Sequence, residues 1–286
     1  MSKRGNNDDS PDADSVRRDA EEIEDRSTPP TPVIYEVVRR LGEEEMARPV
    51  VSLWWSGVAG GVSIGCSLLG QAILVTGLPG TSWRPLVDSL GYTVGFIMVV
   101  LSRQQLFTES TITAVLPLMA EFTARNSWRV ARIWTIVLIA NFAGALIAAA
   151  FFAFTPALSP ELRAGMLEIS RHLIGQDWAT AFFRAVPAGF LIAAMVWLMP
   201  SAGGTQLHVV ILMTYVIAAG GFMHIVAGSV EAFTLVLTGA TSWQAMTTGF
   251  AAPVLIGNMV GGTALFALLA YAQVMKEIRP AGATRN

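Results

Sequence analysis

The sequence predicts an all-α integral membrane protein: six transmembrane helices in an inverted 3+3 repeat, with the second and fifth helices broken. Three observations predict it. Of the 286 residues, 53% are hydrophobic and only 14% charged, where a soluble domain carries about 25% charged residues. Six apolar stretches reach the ~20 residues that cross a bilayer as helix. Two of these are too long for one span and carry polar residues near their middles. Charge is also unevenly placed: 21 of the first 50 residues are charged, net −5, against 19 of the remaining 236, net +3. A stretch so poor in charge cannot cover a water-facing surface.

Residues 1–32 form a polar tail, almost devoid of apolar side chains and expected to be disordered. About fifty charged or polar residues come before the first long apolar run, in place of a signal peptide, so the start is expected to stay where it is made. Residues 33–50 differ. Val33, Ile34, Val37, Val38 and Leu41 fall at helical spacing with Glu36, Arg39, Arg40 and Glu43 to Glu45 elsewhere, the pattern of an amphipathic helix on a membrane surface. The transmembrane domain is predicted over 51–276, with spans near 51–78, 88–119, 129–154, 180–200, 206–238 and 246–275, and a short tail over 277–286. Trp54, Trp55, Trp83, Trp128, Trp178 and Trp243 sit near span ends, as amphipathic rings do at headgroup level. One side collects Arg39, Arg40, Arg48, Arg125, Arg129, Arg132, Lys276, Arg279 and Arg285; the other has Arg84, Arg163 and Arg171, with Arg184 close by. That asymmetry makes both termini cytoplasmic in a multi-pass protein of the cell (inner or plasma) membrane.

Composition also excludes. A net charge of −2 with an acidic tail offers no basic face to nucleic acid. A single cysteine, Cys66, rules out intrachain disulfides and cysteine-built metal clusters. No Asp/Glu/His group has metal-ligand spacing, and no glycine-rich loop follows a strand to hold a nucleotide, so neither metal nor cofactor is expected. Gly61-Val62-Ser63-Ile64-Gly65 matches a hydrolase nucleophile-elbow pattern, but it lies in a continuous apolar span without the strand–turn–helix context. We read it as coincidence, and a Ser63–His224 hydrolase as remote; the protein is not expected to be an enzyme.

The two interruptions carry the chemistry. In the second span, Gly91 to Leu101 runs into Ser102-Arg103-Gln104-Gln105-Leu106-Phe107-Thr108-Glu109-Ser110. In the fifth, apolar residues meet Phe222-Met223-His224 and then Ile225-Val226-Ala227-Gly228-Ser229. Polar groups at membrane depth are costly and face a cavity or the bundle interior, and non-helical backbone persists there only when buried or lining water. Asn141-Phe142-Ala143-Gly144-Ala145 resembles Asn258-Met259-Val260-Gly261-Gly262, an offset of 117 that also carries Phe107 onto His224. Three spans per half make the repeat inverted, a layout of many transporters and channels. Glycines four apart (Gly57, Gly61, Gly65; Gly91, Gly95; Gly257, Gly261) allow close helix packing.

His224 is the one histidine inside an apolar span. It is read either as a hydrogen-bonded interior group or as a proton donor and acceptor, since imidazole changes charge near neutral pH. His172 and His208 are read as solvated or structural. Arg103 and Glu109 flank the first break and are expected to neutralise each other, or else one faces the permeant and sets charge preference. Glu231 has the same two readings. Arg184 is read as an interfacial anchor that also draws anions inward.

The segment Gly91–Ser110, the Gly221-Phe222-Met223-His224 break and Ile256–Gly262 together resemble the formate/nitrite transporter family, over roughly 35–276. The resemblance implies an aquaporin-like six-span protomer, a homopentamer, and one pore per protomer in which small monovalent anions pass two apolar constrictions around a central histidine. His224 resembles that histidine; Leu106, Phe107 and Thr108 match the conserved part of an L-F-T-G-N loop; Ile217, Val196 and Phe96 resemble constriction positions. The chain departs at Glu109 and Ser110 in place of Gly-Asn, Gln105 and Met223 in place of glutamates, Gly228 and Ala193 in place of asparagines, and Asp177 roughly in place of an outer lysine that draws anions in. Implied is a channel or transporter for small monovalent anions or weak acids, proton-linked through His224, with charge preference set among Glu109, Arg103, Ser110 and Glu231. A neutral solute or cation is the alternative if Glu109 is ionised and unpaired. So is a non-transporting sensor or scaffold working through the acidic tail.

Overall fold

The computed structural model describes residues 29–277. Residues 1–28 and 278–286, which hold most of both predicted tails, lie outside the described residues. We number the helices in chain order. Helix α1 is Thr31–Ala47, α2 Val50–Gly77, α3 Arg84–Leu101, α4 Phe107–Thr113, α5 Val115–Ala120, α6 Ala124–Phe154, α7 Pro160–Ser170, α8 Trp178–Leu198, α9 Gln206–Ala219 and α10 Ile225–Leu237. The last, α11, runs over Trp243–Val274 with two π-helical stretches, Met246–Ala251 and Val260–Ala267. Among the described residues no regular element is a strand. Five helices are long and apolar enough to cross a membrane: α2, α3, α6, α8 with its short extension to Ser201, and α11. The predicted second span divides into α3, α4 and α5, and the fifth into α9 and α10.

Both breaks are made in the same way. Arg103 and Gly221 take left-handed backbone, φ 52° and 63°. The next N–H in each case bonds back over the helix end, from Gln104 to the Val99 carbonyl at 3.0 Å and from Phe222 to the Ile217 carbonyl at 2.9 Å. This C-cap satisfies carbonyls that a helix end would otherwise leave bare. Extended residues, Leu106 and His224, then start the half-helices α4 and α10.

Two fully buried asparagines hold the breaks in place. Asn141 on α6 donates to the Gly57 carbonyl at 2.8 Å and the Gln105 carbonyl at 2.9 Å, and its Oδ1 accepts the Phe107 N–H at 2.9 Å. Asn258 on α11 donates to the Ala185 and Met223 carbonyls at 2.8 and 2.9 Å and accepts the Ile225 N–H at 2.8 Å. Each amide thus caps a half-helix and ties it to two neighbouring segments. This geometry corrects the predicted register. Asn141 and Asn258 are related by 117, but Phe107 corresponds to Ile225 and Leu106 to His224. The interval from break to asparagine is 34 residues in the first half and 33 in the second, so the offset is one larger at the breaks.

The same symmetry brings backbones into contact. A Cβ on Gly61 would lie 2.2 Å from the Asn141 carbonyl oxygen, and one on Gly189 would lie 2.1 Å from that of Asn258. Only glycine permits those approaches.

Helix α1 packs against α4, α5 and the end of α11. Its buried face is Tyr35, Val38, Gly42 and Met46, and a Cβ on Gly42 would lie 1.7 Å from the Thr113 carbonyl oxygen. The predicted apolar stripe is therefore split. Val38 is buried in the protein, while Val33, Val37 and Leu41 are exposed. Arg39 and Arg40 hold Glu36, whose carboxyl they draw down to about 2.

Candidate functional site

The two half-helices meet through one side-chain contact. Thr108, in the first turn of α4, places Oγ1 2.7 Å from Nε2 of His224, the N-cap of α10. The other ring nitrogen, Nδ1, accepts the Ala227 N–H at 3.2 Å. A neutral imidazole carries one N–H; with Nδ1 accepting, that proton belongs on Nε2 and is donated to Thr108. The Phe96 ring closes the site, its centroid 5.1 Å from that of the imidazole and its plane at 77° to it. His224 is 1% exposed, Thr108 and Phe96 not at all.

A cavity lies on each side of this contact. One, of about 420 Å³, lies beside α1 and is lined by its Glu44, Glu45 and Arg48, by Arg103 and Glu109, and by Val196. The other, of about 230 Å³, is lined by His224, Glu231, His172, Arg184, Asp88 and Tyr92, among others. Leu106, Phe107 and Ile217 are buried, at most 2% exposed, and line neither cavity. Phe107 rests against Trp134 with ring centroids 6.0 Å apart.

Several predicted roles change. Arg103 and Glu109 share a cavity but form no ion pair among the described residues. Arg103 is exposed at the end of α3, whereas Glu109 Oε1 is buried without a hydrogen-bond partner. Pairing would draw the guanidinium out of water. Ser110 lines neither cavity: its hydroxyl donates to the Phe107 carbonyl at 2.6 Å and its carbonyl accepts the Trp134 indole N–H at 3.0 Å. Glu231 is on the cavity opposite α1, 5% exposed, with Oε2 free of hydrogen bonds and 3.6 Å from His172 Nδ1. Ser63 sits inside the continuous helix α2, and both ring nitrogens of His224 are occupied elsewhere.

The altered family positions have structural uses. Asp177 is the N-cap of α8, accepting the Thr180 N–H at 3.0 Å and its hydroxyl at 2.5 Å. These bonds hold its carboxyl below the usual range. Gly228 leaves room that the Phe250 ring occupies, so that a Cβ would lie 2.6 Å from it. The Met223 N–H donates to the Arg184 carbonyl at 3.0 Å. Ala193 is fully buried.

Two site residues escaped sequence reasoning. His172 comes from a connection whose packing no periodicity reveals. Glu45 accepts the Thr113 hydroxyl at 2.6 Å and the Gln105 amide at 3.3 Å, tying α1 to the first break. Burial pushes its carboxyl above the usual range, although both bonds and Arg48 oppose the rise. The available signal was its position on the buried face, three residues after Gly42.

The family model described as formate/nitrite transporter matches residues 32–272. The chain belongs to this family. The inner membrane protein YfdC of Escherichia coli (strain K12) is 42% identical over 255 residues, 89% of this chain and 82% of that protein. The formate channel FocA of Haemophilus influenzae is 30% identical over 188 residues, 63% of this chain and 64% of its own. A solved structure described as a pentameric formate channel with formate bound superposes with a TM-score of 0.70 at 23% identity, over 80% of this chain and 98% of that one. The fold is thus the aquaporin-like fold of the formate/nitrite transporters, and this family member is a transport protein rather than an enzyme.

Proposed function

We propose that the protein carries small monovalent anions of weak acids, formate or nitrite in kind, across the cell inner membrane, with proton linkage through His224. It works as a homopentamer with one pathway per protomer and both termini cytoplasmic, so that the larger cavity opens to the cytoplasm and the smaller outward. The 2.7 Å Thr108–His224 contact between two cavities carries this reading.

An unpaired ion in hydrocarbon pays several kcal/mol even after relaxation. The first N–H of each half-helix is spent on Asn141 or Asn258. The next, those of Thr108 and Val226, have no partner among the described residues, and the Thr108 hydroxyl still has its own proton to donate. These donors at mid-depth favour a transient anion. His224 lies beside them, able to pass a proton from Nε2. The neutral acid then crosses the apolar residues Phe96, Leu106, Phe107, Ile217 and Val196 more easily than its anion.

Formate and nitrite uptake into proteoliposomes tests this. Uptake is expected to rise as the outside is made acidic, and the rise to vanish in His224→Ala. A variant with unchanged rate and pH response rejects the role of His224, and a wild-type protein that passes neither anion rejects the substrate class. One observation favours a second reading, a neutral solute or cation: Glu109 and Glu231 each hold an unpartnered carboxylate oxygen. Higher anion uptake by Glu109→Gly would mark Glu109 as a charge filter.

A further inference from the structure

The outer cavity holds three titratable side chains at graded depth. The His172 side chain is 42% exposed and that of Glu231 7%; His224, with 1% of its surface exposed, lies deepest. All three line the same space of about 230 Å³. His172 Nδ1 is 2.7 Å from the Ile169 carbonyl oxygen and 3.6 Å from Glu231 Oε2. A carbonyl only accepts, so Nδ1 carries a proton in this arrangement. Glu231 Oε2 is buried and receives no hydrogen bond. A buried carboxylate oxygen without a donor is costly, and a proton or a donating ligand relieves the cost.

Few other groups offer relief. Tyr92 and Asp88 face the cavity from α3 and Arg184 from α8; α2 contributes the uncharged Gln71 and α11 the ring of Phe250. Arg84, near Asp88, is engaged with Glu168. None of these side chains hydrogen-bonds Glu231 Oε2.

We propose that His172 and Glu231 form a proton relay that loads the permeant anion in the outer cavity, before it reaches His224. This rests on the weak-acid reading above. The Glu231 carboxyl gives its O–H proton to an oxygen of the anion, leaving a carboxylate and the neutral acid. Doubly protonated His172 returns a proton from Nδ1 to Glu231, across one water or after a small approach, which leaves a neutral ring protonated at Nε2; Nδ1 then regains a proton from water. No other bond changes. The half-exposed ring lies between bulk water and the buried carboxylate. The relay is one-sided, because the cytoplasmic cavity is lined by Glu44, Glu45, Glu109, Arg48 and Arg103 and by no histidine.

The test is formate uptake into proteoliposomes holding the full-length protein, followed against outside pH for wild type, Glu231→Gln, Glu231→Asp and His172→Gln. At neutral outside pH, Glu231→Gln is expected to lower uptake at least about tenfold. In acid the deficit shrinks, because the bulk then supplies the neutral acid. Glu231→Asp keeps most of the neutral-pH uptake, and His172→Gln moves the half-maximal pH downward. A Glu231→Gln profile that superposes on wild type, or falls by one factor at every pH, overturns the relay; so does an unmoved midpoint in His172→Gln. If Glu231→Gln fails to assemble, Glu231→Asp and His172→Gln decide alone. Wild-type protein that passes no formate at any pH removes the weak-acid reading itself, an outcome distinct from flux that ignores Glu231.

Discussion

The break after α3 and the break after α9 share a backbone and differ in almost every side chain. Each has a left-handed residue, a bond back over the helix end and an asparagine holding the next half-helix. At the first, the left-handed residue is an arginine and Gln105 reaches Glu45 of α1. At the second, the left-handed residue is a glycine and the half-helix opens on His224. The shared bonds satisfy backbone groups that helix ends would otherwise leave bare, so both halves need them. Of the differing residues, Arg103, Gln105 and His224 face cavities, where a side chain can specialise without cost to the fold.

The largest test of that division is removal of an asparagine. Asn141→Ala and Asn258→Ala each strip three buried hydrogen bonds, a loss of roughly 3 kcal/mol or more. Both are expected to melt several degrees lower in detergent or to fail to assemble. Equal losses would support the equivalence of the two halves, and an Asn141→Ala protein of wild-type stability would break it. A smaller effect of opposite sign is expected at Arg103. Left-handed backbone costs a non-glycine residue about 1–2 kcal/mol, and glycine gives back part in chain entropy. Arg103→Gly, which makes the first break like the second, should therefore raise stability by about 0.5–1 kcal/mol. A lower melting temperature would show that the guanidinium makes a compensating contact.

Smallest is the pH response of α1. Burial holds the Glu45 carboxyl above its unfolded value. Its contribution is then complete at pH below the unfolded value and is lost as pH rises through the raised one. Docking of α1 should weaken toward neutral and alkaline pH, seen as faster limited proteolysis near residues 47–50, and Glu45→Gln should flatten that slope. Equal slopes in the two proteins would remove Glu45 from the contact.

The sequence shows the spans because length and hydropathy are local, and it shows the breaks because Ser102–Gln105 and Phe222–His224 interrupt apolar runs. It shows the repeat through Asn141 and Asn258, but not the one-residue shift at the breaks, which depends on which N–H each amide accepts. His224 stands out as a lone histidine in hydrocarbon, while its bond to Thr108 joins residues 116 apart. An Arg103–Glu109 pair looks reasonable from spacing; burial of one partner and exposure of the other prevent it. His172 reaches the site from a connection, and Glu45 from a surface helix. The His172 position carries no periodic signal, and that of Glu45 carries only its place beside the buried face of α1.

The central claim is that Thr108 and His224 act as one unit across the two halves. Formate uptake against outside pH for Thr108→Val, His224→Ala and the double variant tests it most directly. Residues acting together are non-additive, so the double variant should be no slower, and no flatter in pH, than His224→Ala alone. Losses that multiply would mean that the two side chains act separately.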